Sequence, residues 1–375
     1  MRYENVCLEA FAYTLPEEVV SSAEIERRLA PLYTRLGLPA GRLELISGIR
    51  ERRFWPPGML PSQMSVETAE KAIRVAGVEK RHIGALIHGS VCRDFLEPAT
   101  ACGVHQQLAL PRQCMIYDVS NACLGLLSGL VQLANMIELR QIRAGVVVGT
   151  ESGRALVENT IAQLNTNTSL SRAEIKKAFP SLTIGSGSAA MVLVDRQISR
   201  TGNRLLGGIF HANTDQCHLC RSGCDESADA GMRPLMWTDA EALLHQGIAT
   251  AKVAFSEFLA CLGWTVSDVH KAFSHQVGRI HQKMTREALR IDPAIDYATV
   301  EFLGNTGSVA LPISAALGIE NGHVQPGDHV ALLGIGSGIN VVALGVDWQR
   351  SLIQENPQLS AWCGKTAGLC IVENQ

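Results

Sequence analysis

No stretch of 18 consecutive apolar residues occurs in the 375-residue chain, so nothing in it is predicted to span a membrane. No extended stripe of lysine and arginine occurs either. With 33 basic against 36 acidic residues the formal net charge is −3, and nucleic acid is not an expected partner. The opening MRYENVCLEAFAYTLPEEVV places Glu4 and Glu9 where a signal peptide needs an uninterrupted apolar stretch. The eleven cysteines are odd in number, and many, such as Cys114 and Cys261, sit inside apolar runs of a chain too long for a disulfide scaffold. These absences make the cytoplasm the expected compartment. Charge is scarce as well, at 18% against 46% apolar residues, which excludes a disordered chain and provides for a large core. The length predicts two domains, or two lobes sharing one core.

What is present is an alternation of short apolar runs with helical patterns. Ala85–His88, Cys114–Val119 and Ala144–Val148 read as strands covered on both faces, because they are almost continuously apolar. Between them, Ser65–Ala76 and Leu124–Arg140 have helical period. The second is apolar nearly all round, which places it centrally. The alternation predicts an α/β fold with largely parallel sheets. The same grammar returns downstream. Thr238-Asp-Ala-Glu241 reads as a capping box opening a helix to about Leu262, and Lys271–His275, Thr299–Leu303 and Val330–Gly334 read as strands. Ile-Gly-Ser-Gly occurs at 184–187 and again at 335–338, each time leading into a β-rich run. A duplication follows, with one half at 1–197 and the other at 203–348. The tail 349–375 has weak periodicity and stays unassigned.

Cys123 is set apart from the other cysteines by its position. It follows the strand Cys114–Val119 and the turn Ser120-Asn121-Ala122, and it stands where the central helix begins. Free N–H groups and the positive end of the helix dipole stabilise a thiolate there, which is the reactive form. From position alone, a nucleophile and a small buried hydrophobe both remain open. His275 closes a predicted strand, and Asn305 lies in Gly304-Asn305-Thr306-Gly307 at the end of another. Active sites of α/β folds gather at such edges, and Cys–His–Asn is a known nucleophile set. Arg50, Arg52 and Arg53 form the most basic short run, readable as a solvated helix end or as a local site for a phosphorylated ligand.

Asn121-Ala-Cys123-Leu-Gly125, Ser274-His275-Gln276-Val277 and Gly304-Asn305-Thr306-Gly307 resemble the three signatures of the β-ketoacyl-acyl-carrier-protein synthase III family. Ile335-Gly-Ser-Gly-Ile339 is similar to its glycine-rich C-terminal turn, and Gly48-Ile-Arg-Glu-Arg-Arg53 to its early Gly-Ile-Arg segment. The likeness runs, in order and spacing, over nearly everything up to Trp348. It implies a thiolase fold of two similar halves in α-β-α-β-α layers, a homodimer, and acyl thioesters of coenzyme A or acyl carrier protein as substrates, with no further cofactor. Ser90-Val-Cys-Arg-Asp-Phe-Leu-Glu97-Pro-Ala-Thr100 resembles the segment of the bacterial olefin-biosynthesis condensing enzymes that carries a glutamate base into the partner's active site.

On this resemblance Cys123 takes the first acyl group, and backbone N–H groups of Cys123 and Ser337 hold the oxyanion. His275 and Asn305 hold the carbonyl of the second acyl thioester, and Glu97 removes its α-proton. The product is a β-keto acyl compound. Alternatives are decarboxylative condensation with a malonyl thioester, which needs no base, and a silent structural subunit of the same fold. Ile46 stands where the decarboxylating enzymes carry a coenzyme-A-contacting arginine, so Arg50 or Arg53 is the expected substitute. Degradative thiolases carry a second catalytic cysteine in the last glycine-rich turn, and Gly334–Asn340 has none. Cys217, His218, Cys220 and Cys224, with His211 upstream, have zinc-like spacing, but no second ligand pair follows. The expected reading is therefore a metal-free loop near the acyl entrance.

Overall fold

A computed structural model describes residues 1–222 and 235–353. In chain order its strands are β1 (Val6–Thr14), β2 (Glu18–Ser21), β3 (Glu51–Phe54), β4 (Ile83–Gly89), β5 (Met115–Val119), β6 (Ala144–Glu151) and β7 (Gly187–Asp195). There follow β8 (Arg204–Ala212), β9 (Cys220–Ser222), β10 (Met236–Thr238), β11 (Lys271–Ser274), β12 (His329–Gly336) and β13 (Asn340–Asp347). Nine of them form a sheet in the order β11-β12-β13-β8-β1-β7-β6-β4-β5. The two wings meet at β1 and β8 through the antiparallel pair Cys7–Arg204.

Alternation along the strands shows why this sheet lies inside five layers. Val147, Ala189, Met191 and Leu193 pack on the central helices Gly125–Glu138 and Ala310–Glu320, together with Val330, Leu332, Val342 and Leu344 from the other wing. Their neighbours Val146, Val148, Ala190, Val192 and Val194 turn the opposite way and meet the helix Pro61–Ala76. In the second wing Ala272, Ala331 and Ala343 face the helix Ala240–Leu262. The layering is thus α-β-α-β-α, as expected. A fully buried aliphatic side chain contributes about 1.5–3 kcal/mol, so both faces of every central strand are hydrophobic of necessity.

Three expectations need correcting. The sheet is mixed rather than largely parallel. Only β4–β5, β4–β6 and β11–β12 run parallel, and the other pairs are antiparallel. Burial on both faces yields a continuous apolar run whichever way the neighbour points. The segment Thr299–Leu303 is no strand but holds the single helical turn Val300–Leu303, because Thr299 and Val300 both donate their N–H to Gln276 Oε1, at 2.8 and 3.0 Å. Asp239, not Thr238, caps the helix Ala240–Leu262, accepting from Ala242 N at 3.1 Å. Thr238 is the last residue of β10, with its hydroxyl 3.3 Å from Cys220 Sγ.

One buried charge secures the β7–β8 link. Glu9, on β1 and 2% exposed, accepts from Ser199 Oγ and Arg200 N at 2.7 Å and from Thr201 Oγ1 at 3.1 Å. A buried carboxylate without such donors would be strongly destabilising. Past Trp348, Gln349 and Arg350 donate their N–H groups to Asn203 Oδ1. The remainder of the unassigned tail, from 354 on, lies outside the described residues. Among the described residues no helix is long and apolar enough to cross a membrane.

Candidate active site

The loop after β5 brings Cys123 to the sheet's carboxyl edge. Ala122 takes the left-handed φ of +45°, a conformation that costs about 1 kcal/mol or more for a residue with a Cβ. Asn121 holds the turn. It accepts the N–H of Leu124 on its backbone oxygen at 2.8 Å, donates Nδ2 to Ser128 Oγ at 3.0 Å, and accepts Asn340 Nδ2 at 3.3 Å. The following helix starts at Gly125, pressed onto the end of β4. A Cβ on Gly125 would stand 2.8 Å from the Gly89 carbonyl carbon, and one on Gly89 would stand 2.6 Å from the Gly125 oxygen. Only glycine fits at either place.

His275 follows β11, its N–H bonded to Leu333 O at 2.9 Å. The side chain is 9% exposed, and neither ring nitrogen has a protein partner. Burial, with a smaller repulsive contribution from His281, pulls its pKa down to about 4, so the imidazole is neutral near pH 7. Asn305 is pinned by two backbone bonds of 2.9 Å, its N–H to Thr183 O and the N–H of Gly185 to its own carbonyl. Its Oδ1 accepts from Gly307 N at 3.0 Å, which fixes the amide and leaves the Nδ2 hydrogens for a ligand. Gln276 ties the two segments together. Besides receiving the Thr299 and Val300 N–H groups, it donates to Tyr297 O at 2.6 Å.

Cys123, His275, Asn305 and Ser337 line one cavity of about 1320 Å³. That exceeds the usual 300–1,000 Å³ of a small-molecule site. The turn Ile335–Gly338 reaches the nucleophile closely, for a Cβ on Gly336 would lie 3.4 Å from Cys123 N. One arm of the cavity runs between two helices. Leu243, Leu244, Gly247, Ile248 and Ala251 recur at helical spacing along the first, opposite His281, Gln282, Thr285 and Leu289 on Arg279–Leu289.

The surroundings of Cys123 act against the thiolate that the helix start favours. Burial, then the Glu151 carboxylate and Cys220, push the Cys123 thiol up to about 12, outweighing its own backbone N–H. The helix proper begins only at Gly125, two residues on, and the thiol sits in the wall of a largely apolar cavity.

Other predicted residues lie elsewhere. Glu97 is exposed, on the stretch between β4 and the helix Thr100–Leu108, beside exposed Phe95 and Leu96, and it is not among the cavity's lining residues. Arg50 and Arg53 are likewise not brought to the cavity. Arg50 pairs with Glu301 at 2.7 Å and Glu44 at 3.7 Å, and Arg53 donates Nη1 to Pro16 O at 2.8 Å. Of the cysteine cluster, Cys220 lines the cavity and Cys217 is exposed, whereas Cys224 lies outside the described residues. His211 is bonded to Glu257, and among the described residues no group of three or more His, Cys, Asp or Glu is placed to hold a metal.

Sequence reasoning missed four lining residues: Cys92, Glu151, Cys220 as a wall residue, and His281. Glu151 left a signal. It is the one carboxylate at the end of an otherwise apolar strand, Ala-Gly-Val-Val-Val-Gly-Thr-Glu.

The family model for the C-terminal part of 3-oxoacyl-[acyl-carrier-protein] synthase III matches residues 259–348. Over 351 residues the chain is 42% identical to an acyl-CoA:acyl-CoA alkyltransferase of Shewanella oneidensis, covering 93% of this chain and all of that one. A protein of the same name from Xanthomonas campestris pv. campestris is 34% identical over 348 residues, again with 93% and 100% covered. The chain is similar in structure to a variant of Xanthomonas campestris OleA crystallised with lauric acid and lauroyl-CoA. The TM-score is 0.86 at 33% identity, covering 92% of this chain and 100% of that one.

Proposed function

The chain belongs to the OleA-type acyl-CoA:acyl-CoA alkyltransferases, condensing enzymes of the thiolase superfamily, and on that footing we propose that it joins two acyl-CoA molecules by Claisen condensation. The observation that carries this reading is the gathering of Cys123, His275 and Asn305 in one apolar cavity large enough for two acyl chains. Residues 1–197 and 203–348 are proposed as the halves of a duplication, each supplying part of that cavity.

In the first half-reaction the Cys123 thiol gives up its proton as sulfur attacks the thioester carbonyl. Neutral His275, with unpaired ring nitrogens, is the acceptor at hand. The oxyanion sits between the N–H groups of Cys123 and Ser337, the coenzyme A thiolate departs and takes the proton back from His275, and the acyl group stays on sulfur. The second acyl-CoA binds with its carbonyl toward His275 and Asn305 Nδ2. Glu97 of the partner subunit takes its α-proton, which requires a homodimer. The enolate carbon attacks the Cys123 acyl carbonyl, the cysteine sulfur departs and regains a proton, and a β-ketoacyl-CoA remains. Cys123, Asn305, Ser337 and Glu97 are proposed in the roles expected of them, and His275 takes the added role of accepting the thiol proton. Neither Arg50 nor Arg53 enters this scheme.

Purified protein given a single acyl-CoA should release coenzyme A and form a β-keto product carrying both chains, identified by mass spectrometry. A product formed only when malonyl-CoA is added would overturn the non-decarboxylative reading. His275→Ala and Asn305→Ala should slow condensation on the order of 10²–10³-fold, the usual loss of an oxyanion donor. For Asn305→Ala the rate of self-acylation, read as mass gained on Cys123, should change much less. Equal damage to both half-reactions in that variant would contradict the assignment of Asn305 to the second carbonyl.

A further inference from the structure

Glu151 is a buried carboxylate, 6% exposed, at the last position of β6 and in the wall of the Cys123 cavity. A charge in such a place has to be fully bonded, and the identity of its donors is informative. On one side it receives the backbone N–H of Val91 at 3.0 Å and of Cys92 at 3.4 Å, the first residues of the stretch that carries Glu97. On the other it receives Ser308 Oγ at 2.5 Å and Ser308 N at 3.4 Å, from the loop that carries Asn305. Ser308 Oγ also contacts Gly89 O at 3.0 Å, where β4 gives way to the first of these segments. Cys92 Sγ in turn accepts the N–H of Ser152 at 3.3 Å. One carboxylate therefore joins two segments that are about 200 residues apart in sequence, beside the nucleophile. The donors of Val91 and Ser308 meet Oε1 and the N–H of Cys92 meets Oε2, where an amide NH2 would face a donor instead of accepting it.

We propose that Glu151 is a positioning residue that clamps the start of the Glu97-bearing segment to the Asn305-bearing loop, so that each subunit carries its glutamate toward the partner on a segment anchored at its own active site. This rests on the condensing reading above. Its second consequence is electrostatic. Glu151 lines the same cavity as Cys123, Cys92, Cys220, His275 and His281, and its carboxylate raises the Cys123 thiol's pKa in the same direction as burial, the larger cause, while its oxygens hold the loops.

The two effects separate experimentally. Glu151→Gln removes the charge and mismatches the donors, Glu151→Asp keeps the charge but shortens the reach, and Ser308→Ala removes one donor and keeps the charge. Alkylation of Cys123 by iodoacetamide is followed from pH 7 to 11 on the Cys123 peptide, beside turnover with lauroyl-CoA and a thermal melt. Glu151→Gln should move the alkylation profile to lower pH and reduce turnover by about 10²-fold, the scale of a misplacement near 1 Å. Glu151→Asp and Ser308→Ala should also lose turnover, with alkylation profiles that stay with the wild type. A wild-type rate in Glu151→Gln, or a profile superimposed on the wild type, overturns the proposal. Should the wild type itself fail to condense lauroyl-CoA, the alkylation profiles still decide the electrostatic half, so the failure of one reading is distinguishable from that of the other. If Glu151→Gln does not fold, a wild-type turnover in Ser308→Ala overturns the clamp.

Discussion

Cys123→Ala should gain no acyl mass from lauroyl-CoA and should lose turnover by on the order of 10⁶-fold, the scale on which removing a nucleophile acts in covalent catalysis. The alanine removes only sulfur from a turn that Asn121, Ala122 and the Gly125–Gly89 contact define through backbone, so the fold should survive. Intact-mass spectrometry before and after substrate is the measurement. The site also contains Cys92 and Cys220, which face the same cavity. An adduct that persists in the variant and maps to either would show the nucleophile to be misassigned. Burial, then the Glu151 carboxylate, push the Cys92 thiol well above the ordinary thiol range.

Glu97→Gln should acylate at Cys123 as fast as the wild type and condense about 10²–10⁴-fold more slowly, the usual contribution of a general base. The α-proton of a thioester is weakly acidic, and nothing else in the scheme removes it. Glu97 is exposed and away from its own cavity, so the substitution leaves packing untouched. Its placement makes a further result specific. Mixing Glu97→Gln with Cys123→Ala and allowing subunits to exchange should restore activity, because one site of the mixed dimer then holds an intact cysteine and an intact glutamate. No recovery on mixing, with exchange verified by native mass spectrometry, would place the base within one chain and refute the crossing. Wild-type condensation by Glu97→Gln would remove Glu97 from the chemistry altogether.

Much of the site is legible in the sequence because strand-end loops announce themselves locally. The runs ending at Val119 and Ser274 carry Met115, Ile116 and Tyr117 and Ala272 and Phe273, and each is followed at once by polar residues, Ser120-Asn121 and His275-Gln276. The element before Asn305 has the pattern of a strand, but Gln276, from a segment about 25 residues earlier, draws the chain there into a helical turn. Strand direction was not legible either, since Val192 on an antiparallel strand and Val146 on a partly parallel one sit in the same two-sided burial. The protonation of Cys123 was hidden most deeply. A helix start favours the thiolate from nearby atoms, but the opposing effects come from the depth of the cavity and from Glu151, and neither is a property of the residues around position 123.

The place of β1 in the sheet bears on how the molecule is made. Val6 pairs with Asp195, Thr14 with Ser188, and Cys7 on its other edge with Arg204. The parallel trio β4, β5 and β6 needs nothing beyond Glu151 and can assemble while the chain is still leaving the ribosome. β1, although translated first, cannot. It waits, nine residues long and nearly all destined for burial, until residues 187–204 have emerged. At about 5–20 residues per second that wait lasts on the order of 10 to 40 s. Glu9 waits with it, since its three donors are Ser199, Arg200 and Thr201. Through that interval the charge in the middle of the strand is solvated and keeps the segment from pairing with a neighbour's. The carboxylate that later ties β1 to the β7–β8 link is thus without its three partners until residues 199–201 are made.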